Sequence, residues 1–343
     1  MKLKLGLLKN LTLFLTYLIF FLFLTRSFDS LLRVSYEYRN ARTRCPSNDT
    51  WKEHSATRQP FSARQEAMST PYCGRISTRS KWFCERYSET VKAFWSRDDP
   101  PISKESMNAI RDTRIDYVFT EFKLRQITAM VFKRILSNDI FGRWRSQKNG
   151  SLSCAVVGNS DNLLGSNYGS IIDSHDVVIR MNAALTEGYE KDVGAKTTFQ
   201  SLYSRIGTLY QKPNRLLVIP CALQEIKFAG LAPSIIDVHP CEVYLIHPDF
   251  YRSLMETWLR PTSGQKLSSG IILQLFAVHV CNKVDVFGFG VNKKGEYKHY
   301  FYSKADKNLN ESHSYHDFQS EAELRQKLAD EGIITVYPGA VSN

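Results

Sequence analysis

His299-Tyr300 and His316 lie in a polar stretch between the last two strands that the sequence predicts. Imidazole changes charge near neutral pH, so two histidines beside an anion site suit proton transfer at a reacting oxygen. Ser268-Ser269-Gly270 opens an apolar run, Ile271 to Val280, and so marks a helix start. Free backbone N–H groups and the positive end of the helix dipole favour a carboxylate or phosphate there, with the hydroxyls as further donors. The same triplet equally suits an ordinary N-cap. Val157-Gly158-Asn159-Ser160 ends a short apolar strand, and a glycine in that place admits a ligand close to the backbone. Asn159 and Asn182, each just past a strand, offer amide donors and acceptors for a base or ribose edge; each also suits a plain turn. The dinucleotide fingerprint G-x-G-x-x-G is absent, because Gly158 is followed by Gly165 and Gly169. Asp-x-Asp, Cys-x-x-Cys and His-rich metal spacings are also absent, so no metal site is expected.

These residues need a scaffold, and the chain alternates. Strands are predicted at Cys154–Val157, Asp176–Met181, Arg215–Pro220, Val243–Ile246, Val284–Phe287 and Ile333–Tyr337. Helices are predicted at Asp249–Leu259 and Gly270–Val280. Another is predicted behind a capping box, Ser320-x-x-Glu323, with Leu324 and Leu328 on one face and Gly332 as its stop. His316 then falls in the loop before that helix, and Glu321 in its first turn, where a negative charge is favourable. Strands alternating with helices predict an α/β domain on a Rossmann-type, mainly parallel sheet.

The amino terminus sets the compartment. Leu11 to Leu24 is almost purely apolar, and Leu5 extends it to about 20 residues, one bilayer crossing, if Lys9 snorkels. Lys2, Lys4 and Lys9 precede the run and only Arg26 follows closely, which orients the short terminus to the cytosol. No small-x-small cleavage site follows, so an uncleaved anchor is preferred to a signal peptide. The expected order is a cytoplasmic tail (1–10), a transmembrane anchor (11–25), a polar stem (26–71) and a lumenal domain (72–343). In that compartment Asn48, Asn149 and Asn310 head glycosylation sequons, and the 7 cysteines can form disulfides with one left over. The net charge of +11 attracts anions generally, and a solvated basic surface explains it equally well. No nucleic-acid motif accompanies the charge.

Four segments in order resemble the animal sialyltransferases. Cys154 to Thr198, including VVGNS and DVVIRMN, is similar to the large sialylmotif. Residues 246–290, including LSSGIILQLFAVHVCNKVDVFGFG, are similar to the small one. His299-Tyr300-Phe301-Tyr302 resembles the third motif, and His316-x4-Glu321 the very small motif. Within the family the sequence is most similar to α-2,3-sialyltransferases acting on Gal-β1,3-GalNAc. The resemblance implies a GT-A-like variant fold and a metal-independent, inverting transfer of sialic acid from CMP-sialic acid. His316 would be the general base, and His299 would stabilise or protonate the departing phosphate. Asn159, Ser160, Asn182 and Tyr203 would hold the CMP moiety. Ser268, Ser269 and Gly270 would hold the nucleotide and the sialic acid carboxylate, and Cys154 and Cys281 would form a disulfide. The donor substrate takes the place of a cofactor. The implied setting is the Golgi membrane as a single-pass type II protein, with galactose-terminated glycoproteins or glycolipids as acceptors and no nucleic-acid partner.

The sequence departs from the family in places. Pro-Ser-Thr-Gly becomes Leu267-Ser268-Ser269-Gly270, and Lys266 replaces the preceding aromatic residue. The third motif ends in Tyr302 instead of an acidic residue. The tryptophan-pair segment that contributes to galactose binding has no clear counterpart between Trp95 and Gln126. The upstream cysteine cluster is reduced to Cys73, with Cys84 added as a candidate partner. The segment from His316 to Tyr337 also resembles enzymes that sialylate the 6-position of GalNAc. An α-2,6-sialyltransferase and a catalytically silent binder of glycans or CMP-sialic acid are the alternatives.

Overall fold

The computed structural model describes residues 80–88, 90–96, 99, 121–132, 140–202, 213–260, 266–292, 301–302 and 316–340, without the side chains of 121–126, 223 and 241. All of these belong to one compact unit. The expected tail, anchor and stem lie outside the described residues, as do His299, Tyr203, Asn48, Asn310 and Cys73. Among the described residues no helix is long and apolar enough to cross a membrane.

The strands are β1 (Ser153–Val157), β2 (Val177–Met181), β3 (Phe199–Ser201), β4 (Leu216–Val218), β5 (Val243–Leu245), β6 (Lys283–Phe287) and β7 (Thr335–Val336). They form one sheet in the order β5-β4-β3-β2-β1-β6-β7, and every neighbouring pair is parallel. The α/β expectation therefore holds, with a sheet that is parallel throughout among the described strands. Every residue of β2 is buried, as expected of a strand covered on both faces. The helices are α1 (Lys81–Cys84), α2 (Glu121–Phe132), α3 (Ile140–Gln147), α4 (Gly169–Asp173), α5 (Glu190–Val193), α6 (Leu223–Ile235), α7 (Pro248–Ser253), α8 (Ser269–Val280) and α9 (Phe318–Asp330).

The chain runs outward from β1 to β5, then returns to place β6 on the other side of β1. The strand order reverses between β1 and β6. In an open parallel sheet such a switch point leaves a crevice beyond the carboxyl ends of the two strands, where ligands bind. The register sets Val157 beside Phe287, so Gly158 and Gly288 leave the sheet together at that crevice.

Helix α8 is the central packing element. Ile271, Ile272, Leu273, Leu275, Phe276 and Val278 are buried, each stabilising the core by roughly 1.5–3 kcal/mol. Its far end is held by a disulfide between Cys281 and Cys154 at the start of β1. Cys84 is in a disulfide as well.

Several boundaries differ from the sequence-based expectation. The helix expected over Asp249–Leu259 is α7, followed by a π-helical turn at Leu254–Trp258. The last strand is confined to Thr335–Val336, and Ile333 and Ile334 are buried in the approach to it. Asp317, not Ser320, caps α9. Its carboxylate accepts from the Ser320 N–H at 3.0 Å and from the Ser320 hydroxyl at 2.7 Å. A carboxylate is the stronger acceptor at the positive end of a helix, so the helix starts before the expected capping box.

Candidate active site

The site is built where the chain must come close to itself. A Cβ on Gly158 would lie 2.2 Å from the Gly288 carbonyl oxygen, so only glycine fits there. The Gly158 N–H donates to Phe287 O at 2.8 Å, and the Ser160 N–H to Gly288 O at 3.2 Å. Asn159 donates from Nδ2 to Met181 O at 3.0 Å, tying the β1 loop to the β2 loop. The Phe301 N–H donates to Asn159 O at 2.9 Å. Ser160 donates to Gly290 O at 2.9 Å. Asn182 adopts a left-handed conformation at φ 58°, and its N–H donates to Ser201 O at 2.7 Å. The loops after β1, β2 and β6 and the end of β3 are thus bonded into one rim.

Helix α8 meets this rim through Phe289. A Cβ on Gly270 would lie 2.8 Å from the Phe289 ring, and one on Gly158 would lie 3.1 Å from it. The ring is therefore wedged between the end of β1 and the first turn of α8. The guanidinium carbon of Arg325 stands 5.5 Å from the ring centroid. The first N–H groups of α8 have no acceptor within the helix and attract an anion. Ser268 is the N-cap, accepting from the Ile271 N–H at 3.3 Å.

The start of α9 closes the site from the other side. His316 donates from Nδ1 to Lys266 O at 2.7 Å. A carbonyl only accepts, so Nδ1 carries a proton, and in the neutral ring Nε2 is the nitrogen with the free lone pair. Burial pushes the imidazole below its ordinary value, opposed by the Lys266 carbonyl and aided by the Lys266 charge. Glu321 is buried at 4% exposure. Its carboxylate accepts from the Ser268 N–H at 2.7 Å and also from the Ser268 hydroxyl. Burial pushes the Glu321 carboxyl up to about 7, against the two Ser268 hydrogen bonds and the Arg325 charge.

The structure brings together Asn159, Ser160 and Asn182 on the rim, Ser268, Ser269 and Gly270 at the helix end, and His316 beside them. The Ser268 hydroxyl and amide are both engaged by the protein, and Ser269 and Gly270 after it are buried in the first turn of α8. Asn149 lies apart, exposed in the turn after α3 at φ 53°. Sequence reasoning placed Glu321 as a favourable helix-start charge and as the end of the segment similar to the very small motif, gave it no role, and did not single out Phe289. A charged residue in a first helical turn is ordinarily solvated, so its burial has no local signal. Among the described residues no group of three or more His, Cys, Asp or Glu side chains is placed to hold a metal ion.

Replacing Gly158 with alanine would force two backbone segments apart at the switch point. The expected result is a loss of about 3 kcal/mol of stability and of nucleotide affinity. Thermal melting and calorimetry with CMP check it; wild-type values for both would show that the contact yields easily.

A crevice at the reversal of a parallel sheet, the start of a buried helix and a histidine held by a backbone carbonyl thus lie together on one α/β domain. The sequence model of glycosyltransferase family 29 (sialyltransferase) matches residues 101–333, and the chain belongs to that family. It is 27% identical to human CMP-N-acetylneuraminate-beta-galactosamide-alpha-2,3-sialyltransferase 1 over 338 residues, 95% of this chain and 96% of that protein. It is 31% identical to the chicken protein of the same name, over 76% of this chain and 79% of that one. Mouse alpha-N-acetylgalactosaminide alpha-2,6-sialyltransferase 2 is 30% identical over 61% of this chain and 66% of its own length. The crystal structure of a mammalian sialyltransferase in complex with Gal-beta-1-3GalNAc-ortho-nitrophenol superposes with a TM-score of 0.66 at 28% identity. It covers 77% of this chain and 96% of that one.

Proposed function

We propose that this protein transfers sialic acid from CMP-sialic acid to the 3-hydroxyl of a terminal galactose, with Gal-β1,3-GalNAc of O-glycans or glycolipids as the acceptor. The observation that carries the reading is His316, held by the Lys266 carbonyl with its Nε2 lone pair unprotonated, beside the anion-binding end of α8. Nε2 takes the proton of the galactose hydroxyl as that oxygen attacks the anomeric carbon. The bond from that carbon to the CMP phosphate breaks, and its electron pair leaves with the phosphate, inverting the centre. Such a leaving group needs charge stabilisation more than covalent catalysis. The Ser269 and Gly270 end of α8 supplies it, with His299 and Tyr203 acting on the phosphate. Asn159, Ser160 and Asn182 hold the CMP moiety. The reaction needs no metal, and the domain works on the lumenal side of the Golgi membrane behind a type II anchor.

The similarity to the mouse α-2,6 enzyme favours a second regiochemistry, transfer to the 6-position of O-linked GalNAc. One assay separates the readings. Residues 72–343 are secreted and incubated with CMP-sialic acid, EDTA and a Gal-β1,3-GalNAc acceptor, and the product linkage is identified. An α-2,3 product is the expected result. An α-2,6 product on GalNAc would select the second reading, and CMP binding without transfer to any acceptor would leave a silent binder.

A further inference from the structure

Lys266, Leu267 and Ser268 form a short strap that leads into α8, and α9 grips it at two places. His316 at the head of α9 donates to the Lys266 carbonyl. One turn further on, Glu321 takes both the N–H and the hydroxyl of Ser268. Leu267 between them is buried, so the strap has no freedom to slide outward. Ser268 in turn caps α8, and the next residues, Ser269 and Gly270, present the anion-binding amides. The acceptor-side base and the donor-side helix end therefore share one strap. We infer that Glu321 is a positioning residue that holds the base and the anion-binding helix end in register through this strap, without touching substrate itself. The inference rests on the reading of His316 as the base and of α8 as the donor site.

Ser268 offers two donors at once, its N–H and its hydroxyl, and the ionised carboxylate takes one on each oxygen. Protonation turns one Glu321 oxygen into a donor, so the Ser268 hydroxyl, which already accepts from the Ile271 N–H, must reverse its bond and the grip changes. The charged groups around it are Asp317, His316 and Arg325 on and before α9 and Lys266 on the strap. Its raised pKa puts that change near neutral pH, above the titration of His316. Two protons must then leave before the site works. The acid limb of the kcat/KM profile should approach a slope of two, where a base acting alone gives a slope of one.

The test uses wild type, Glu321→Gln, Ser268→Ala, the double variant, and Glu323→Gln as an exposed control on the same helix. Thermal melting at each pH confirms folding. In Glu321→Gln the amide keeps one acceptor and makes the other position an N–H donor, which forces the Ser268 hydroxyl to reverse its bond, and an error of this kind in geometry costs about 10²-fold in kcat/KM. The acid limb should fall to a slope of one in that variant. The double variant should lose no more than the worse single variant, because both substitutions cut the same link. CMP affinity, read by calorimetry without any transfer, should fall about tenfold in both single variants. Wild-type kcat/KM, slope and CMP affinity in Glu321→Gln would overturn the inference, as would a wild type that binds no CMP. A wild type that binds CMP in a Glu321-dependent manner but transfers to no acceptor would uphold only the hold of Glu321 on the end of α8, and would overturn the proposed reaction and the register with a base.

Discussion

Replacing His316 with alanine should lower kcat for transfer by roughly 10²–10⁴ while CMP affinity stays as in wild type. The imidazole donates Nδ1–H to the Lys266 carbonyl, so its second nitrogen is fixed as the acceptor before substrate arrives. Alanine removes the acceptor and leaves the cap of α8 intact, because Ser268 is held by Glu321 and not by His316. The loss therefore belongs to the chemical step. The pH dependence follows from the same geometry. A base works only when neutral, so activity falls as pH drops through its pKa. Burial lowers that pKa, which keeps His316 neutral at more acidic pH than a solvated histidine. The lower bend of the wild-type acid limb should thus lie below the ordinary imidazole value, and it should vanish from the residual rate of the variant. Near-normal turnover in His316→Ala, or a lower bend that survives there, would remove His316 as the base.

The second large effect is on stability. The disulfide between Cys154 and Cys281 closes a loop with a sequence separation of 127. In the chain-entropy view, opening a loop of that size costs about 5 kcal/mol, and losing a native disulfide typically costs 2–5 kcal/mol. Both sulfurs are in the core, where Cys154 is 0% and Cys281 1% exposed. Replacing both with alanine also removes buried contacts, so the melting temperature should drop by about 10 °C or more. The effect reaches the site along α8. The bridge pins one end of that helix to β1, and the helix spans about 18 Å to its anion-binding end. CMP affinity in the Cys154→Ala/Cys281→Ala variant should fall along with the melting temperature. A variant that melts and binds like wild type would make the bridge a passive feature of the core.

Much of the scaffold was legible locally. The apolar runs of β1, β2 and β6 and the continuous apolar face of α8 follow from short-range patterning, and the structure keeps them within a residue or two. Helix α6 has no counterpart among the helices expected from the sequence, and Gly230 and Pro233 lie inside it. Its reason is tertiary. A Cβ on Gly230 would lie 3.1 Å from the side chain of Val131, so the glycine permits α2 to lie against α6. The three-residue strand β3 was equally short of local pattern and exists through pairing with β2 and β4.

The sequence by itself determined the alternating α/β class, the glycine-ended strand at Gly158, the helix start at Ser268–Gly270 and the order of motifs that mark the family. Hydrophobic period, turn chemistry and residue spacing are properties of neighbouring residues, so the chain carries them openly. Only the tertiary structure decided that β6 returns beside β1 and opens the crevice at Gly158 and Gly288. It also decided that Phe289 is wedged between Gly158 and Gly270, and that the hydroxyl of Ser268 serves Glu321. Those partners are far apart in the chain, 53 residues in the case of Ser268 and Glu321. A carboxylate at a helix start looks solvated in every local window. It becomes a buried acceptor only when packing takes away its water and supplies two donors in exchange.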